Sequence, residues 1–135
     1  MNREIINPAS MYETVQFGFS HAVASSAAKT IHCAGQVAWD KDHNLVGEDD
    51  LAVQCDQVFK NLKEVLAAAG ATPADVVRMR TYVVDYSPDK LDVVGPAIAA
   101  FYGDSMPAAN TLLGVAALAM PGFLIEVEVT AMIAA

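Results

Sequence analysis

The sequence predicts a single α+β domain in which two helices pack on one face of a mixed sheet. Three observations predict it. One stretch carries apolar residues at helical spacing and another opens with helix-start residues, several others alternate apolar with polar, and the two kinds interleave along the chain. The expected order is β-β-α-β-α-β-β, as one domain over residues 1–135. At 54% apolar and 18% charged, a chain of this length buries a real core and does not stay disordered.

The first two strands are expected in "ETVQFGFSHAVAS" and "KTIHCAGQVAW", joined by the polar turn "SSAAKT". In the second, Ile31, Cys33, Gly35 and Val37 alternate with His32, Ala34, Gln36 and Ala38. The loop "DKDHNLVGEDD" follows, rich in turn formers. The first helix is "DLAVQCDQVFKNLKEVLAAAG", where Leu51, Cys55, Val58, Leu62, Val65 or Leu66, and Ala69 recur at intervals of three and four. Asp50 is its expected N-cap and Gly70 its C-terminal stop.

"VVRMRTYVVDY" reads as a strand, with Val77, Met79, Thr81 and Val83 alternating against Arg78, Arg80 and Tyr82. "SPDKLDVVGPAIAAFYGD" starts as a helix should, with Ser87 and Pro88, and is expected to kink or break at Pro96. Two strands close the chain, "NTLLGVAAL" and "FLIEVEVTAMI". In the last, Ile125, Val127, Val129 and Ala131 should face the helices. Leu124, Glu126, Glu128 and Thr130 then form part of a second, half-apolar face. A broad apolar sheet face usually meets a partner, and a closed homo-oligomer is the common answer.

Composition excludes several functions. A net charge of −8 with scattered Lys and Arg argues against nucleic-acid binding. No apolar run is long enough to span a bilayer, and the first ten residues lack a secretory core, so a cytoplasmic location is expected. Cys33 and Cys55 fit packing positions, and Trp39 a packing role at a strand end. His21, His32 and His43 show no metal-ligand spacing. Ser20 and His21, adjacent on a strand, should face opposite ways and make a poor nucleophile–base pair.

The polar residues of the closing strands keep two readings open. Glu126 either handles a water or lines the wet side of an alternating strand. Asn110 and Thr111 either face a pocket or satisfy a loop backbone at a strand start. Glu128 reads as structural.

Taken together, "GFSHAV", "AGQVAWD", "QVFKNLKEVLAAAGATPADVVRMRTYVVD" and "GVAALAMPGFLIEVEVTA" resemble the Rid family, the reactive intermediate deaminases or YjgF-like proteins. The resemblance runs from about Asn7 to Ile133. It implies a chorismate-mutase-like fold, a homotrimer with ligand clefts between subunits, and hydrolysis of reactive imines or enamines without cofactor or metal. Carried over residue by residue, Glu126 matches the carboxylate that positions water, and Gly35 and Gln36 match. Anchored on "VAAL", Asn110 stands where deaminase members carry an Arg that clamps the substrate carboxylate. Phe19 replaces a Tyr, Ala34 a Ser, and Gly95 an Asn of the second helix.

The expected function is therefore Rid-type hydrolytic deamination of an imine, enamine or related labile metabolite. Glu126 is the catalytic candidate, and Asn110, Thr111, Phe19, Ala34 and Gly35 are the substrate-binding candidates. Without the Arg, the substrate is expected to differ from a standard 2-aminoacrylate. A non-catalytic metabolite-binding trimer is the alternative, and a ribonuclease the third.

Overall fold

The computed structural model describes residues 2–26 and 29–134. The described residues form six strands: β1 (Asn2–Ile6), β2 (Ala22–Ser26), β3 (Lys29–His32), β4 (Val76–Val84), β5 (Ala109–Val115) and β6 (Ile125–Ile133). The helices are α1 (Leu51–Ala68) and α2 (Leu91–Tyr102). Four strands form a sheet in the order β3-β6-β4-β5, while β1 and β2 pair antiparallel in a second, two-stranded unit. The larger sheet is mixed, because β4 runs parallel to β5 and antiparallel to β6.

Period-2 burial on β6 sets the layering. Ile125, Val127, Val129 and Ala131 are buried, and the residues between them are half-exposed. Met79, Thr81 and Val83 continue the buried face on β4. Helix α1 closes over it with Cys55, Val58, Phe59, Leu62 and Leu66, and α2 with Val94, Ile98, Phe101 and Tyr102. Full burial of each aliphatic side chain contributes about 1.5–3 kcal/mol before entropy is counted. The sheet thus has one covered face and one open one.

Helix α1 begins as its sequence predicts. The Asp50 carboxylate accepts from the Val53 amide at 3.1 Å, and Gly70 at φ +80° turns the chain out of the far end. Leu66 takes the core position and Val65 is 37% exposed, which decides between the two. Gln54 is also fully buried. Its Nε2 donates to the Gly47 and Gly122 carbonyls (3.0 and 2.8 Å), and its Oε1 accepts from the Leu124 amide at 2.9 Å.

The N-terminal region differs from the expected strand. Residues Val15–Phe17 form a 3-10 turn that ends on Gly18 at φ +84°, so β2 begins only at Ala22. Its partner is β1, an additional strand at the start of the order, while β3 pairs with β6. Part of the expected "SSAAKT" turn, residues 27–28, lies outside the described residues. Helix α2 is continuous through Pro96, with no break, after a 3-10 turn at Pro88–Lys90. Gly95 eases this, since a Cβ on the residue before Pro crowds the proline ring in the helical region.

Candidate functional site

The open sheet face collects the polar side chains of three strands in register. Tyr82 of β4 stands opposite Glu126 of β6, Arg80 opposite Glu128, and Arg78 opposite Thr130. On the other side of β4, Arg80 is level with Thr111 and Tyr82 with Leu113, which is 45% exposed. The Tyr82 hydroxyl donates to Glu128 Oε1 at 2.5 Å, and Arg80 Nη1 lies 3.8 Å from the same oxygen. Arg78 donates to Thr111 Oγ1 at 3.2 Å.

Glu126 occupies the far end of this face, half-buried, next to an irregularity in the sheet. His32 pairs with Thr130 and Gln36 with Val127, so four steps on one side are matched by three on the other. The extra residue is a β-bulge at Ala34–Gly35, a feature that locally bends a strand and frees backbone groups. The ladder bonds run from the Cys33 amide to Val129 O (2.9 Å) and from the Gln36 amide to Val127 O (2.8 Å). Among the described residues, the Ala34 and Gly35 amides between them have no backbone acceptor.

The Glu126 side chain lies over Gly35. A Cβ built on Gly35 would come within 2.4 Å of Glu126 Oε2 and 2.7 Å of its Cδ, so the carboxyl's place depends on this glycine. Burial, and then the charge of Glu128, hold the Glu126 carboxyl above its ordinary pKa. Tyr82 is likewise raised, chiefly by its hydrogen bond to Glu128. Glu126 is therefore a carboxyl held above its ordinary pKa, over a glycine whose amide, like that of Ala34, has no acceptor among the described residues.

Not every sequence candidate joins it. Gly35 and Ala34 do, at the bulge. Thr111 shares the open face but sits two strands away on β5. Asn110 points to the other face: it pairs with buried Met79, and its Oδ1 accepts from buried Thr81 at 3.3 Å. Its expected position was one residue out of phase, and with period-2 side chains one residue is the difference between faces. Ala109, Thr111, Leu113 and Val115 are the β5 residues on the open side. Phe19, edge-on to His21 at 6.2 Å, precedes Ser20, which bridges to Ala109, so it lies beyond β5 at the opposite edge of the sheet from Gly35.

Sequence reasoning gave no positioning role to two side chains that hold the β5 edge, Ser20 and Arg3. The buried Ser20 hydroxyl donates to Pro107 O at 2.6 Å, and Arg3 reaches Val76 O and Met106 O at 2.5 and 2.7 Å. Ser20's alternation partner His21 faces away, its Nε2 2.9 Å from Tyr12 O. An arginine that ties the first strand to carbonyls more than seventy residues on leaves no local signal. Both cysteines are buried, and burial pushes Cys55 up to about 12, as suits a packing role.

Residues 13–133 match the Endoribonuclease L-PSP family. The chain belongs to that family, the YjgF/Rid proteins. A Rid-family protein from Yersinia pestis has the same fold, with TM-score 0.96 and 57% identity over 98% of this chain and all of that one. A RutC family protein of Pyrococcus horikoshii is 29% identical over 65% of this chain and 68% of its own. A 2-iminobutanoate/2-iminopropanoate deaminase of Dermatophagoides farinae is 24% identical over 73% of this chain and 74% of its own. The α+β fold of the Rid proteins is thus the fold of this chain. Among the described residues, no helix is long and apolar enough to cross a membrane.

Proposed function

We propose that this Rid-family chain hydrolyses the C=N bond of a small imine, or of the enamine that tautomerises to it, with Glu126 as the proton-transfer group. One observation carries the reading: a half-buried carboxyl of raised pKa is seated over Gly35, whose amide and that of Ala34 have no acceptor among the described residues. In the reaction the Glu126 carboxylate takes a proton from water as the water oxygen bonds to the imine carbon. The C=N electron pair moves to nitrogen, which is protonated. The carbinolamine then collapses, the C–N bond breaks, and a ketone and ammonia leave. A carboxyl that both accepts and returns a proton suits these steps. In this reading the bulge amides donate to an acceptor atom of the substrate.

The activity named for the mite relative supports the reaction class. The substrate class follows from β5, whose open-face residues Ala109, Thr111, Leu113 and Val115 bring no charge. We read the substrate as one that does not depend on a β5 guanidinium, and so as different from 2-aminoacrylate. The assembly we propose is a homotrimer. Within one chain, Glu126 and Gly35 lie toward one sheet edge, and Phe19, Ala109 and Thr111 toward the other. A ring of copies brings those edges together and covers the open face.

Ammonia and keto-compound release from imines generated in situ, with and without a carboxylate group, tests the reading. Turnover above the buffer rate, favouring uncharged imines, supports it. Saturable thermal stabilisation by such compounds without ammonia release would instead mark a binding protein.

A further inference from the structure

The two carboxylates of β6 have opposite surroundings. Glu128 is gripped from β4: the Tyr82 hydroxyl at 2.5 Å and the Arg80 guanidinium at 3.8 Å both address its Oε1. Glu126, two residues away on the same face, accepts no hydrogen bond among the described residues and rests over Gly35. One carboxylate is held by two groups of β4, and its neighbour has no donor among the described residues. Paired carboxyls kept in unlike environments divide the roles of fixed charge and proton carrier.

We propose that Glu128, fixed by Tyr82 and Arg80, is a positioning residue for Glu126, supplying the negative charge that lets the neighbouring carboxyl hold and return a proton. This rests on the proposed role of Glu126 in hydrolysis. The other groups facing Glu126 do not supply such a charge. Tyr82 opposite it is a neutral hydroxyl whose proton is held by Glu128, and Arg80, of opposite sign, is paired with Glu128. Ala34, Gly35 and Gln36 from the bulge are uncharged, as are Thr111 and Leu113 from β5. His32 of β3 and Arg78 of β4 flank Thr130, four residues along β6. The direction of the Glu126 shift, from burial and then from Glu128, agrees with this geometry.

The test is the carboxyl carbon signal of Glu126 followed through a pH titration of the whole protein by NMR. Glu128→Gln should move the Glu126 midpoint down toward the ordinary carboxyl range. Glu128→Asp, which keeps the charge, should leave it raised. In the unmodified protein, added salt should also lower the midpoint, because the charge contribution is screened and the burial contribution is not. An unchanged midpoint in folded Glu128→Gln overturns the proposal. Should that variant fail to fold, a salt-insensitive midpoint in the unmodified protein overturns it equally. The titration needs no turnover, so absence of ammonia release would count against the hydrolase reading and leave this result standing on its own.

Discussion

At the scale of single residues, Glu126 and Gly35 act as a unit, and Gly35→Ala separates them. The added methyl collides with the end of a flexible side chain, not with backbone, so stability should change by less than about 1 kcal/mol in urea unfolding. The carboxyl must move, and the Glu126 titration should move with it. Stability should also depend on pH through Glu126. Its folded pKa lies above the unfolded one, so the native state binds more protons between the two values, and stability falls as pH rises through that window. Glu126→Gln should flatten that segment of the stability–pH curve. The open-face place of Glu126 was legible in the sequence, because the apolar residues on either side of it, Ile125 and Val127, alternate with it and take the core face. The face of Asn110 was not, since it depends on the register of β5 against β4, which its own sequence does not encode.

At the scale of elements, α1 was legible nearly to its ends, because its cap, apolar stripe and terminal glycine all agree. The N-terminal region was not. Alternation around "VQFGFS" mimics a strand, but Gly18 at φ +84° and the Asn7 side chain, which accepts from the His21 amide at 2.7 Å, fold it as a turn. Gln54 was hidden for another reason: its three partners lie in loops far apart in sequence. Replacing it with Ala should cost about 3 kcal/mol in urea unfolding, since a fully buried side chain gives up its three hydrogen bonds, to the Gly47 and Gly122 carbonyls and from the Leu124 amide. In α2, Pro96 is exposed and takes one donor from the helix. Pro96→Ala should raise stability by about 1–2 kcal/mol, less than a full interior-proline penalty because Gly95 already relieves the ring.

At the scale of the whole molecule, the open face mixes Leu113, Val84 and Met132 with the two arginines and two glutamates, a surface suited to a partner of its own kind. Sedimentation should give a mass near three times 14.3 kDa, and Leu113→Asp should shift it toward lighter species. The amphipathic face was visible in the sequence. What it covers was not, because closure depends on the sheet's edges and twist. The most direct measurement is ammonia release from an uncharged imine generated in situ, comparing the natural protein with Glu126→Gln at equal concentration and confirmed oligomeric state. Loss of the proton-transfer group should slow turnover by about 10²–10⁴-fold with the fold intact. Turnover by Glu126→Gln equal to that of the natural protein would contradict the assignment of Glu126.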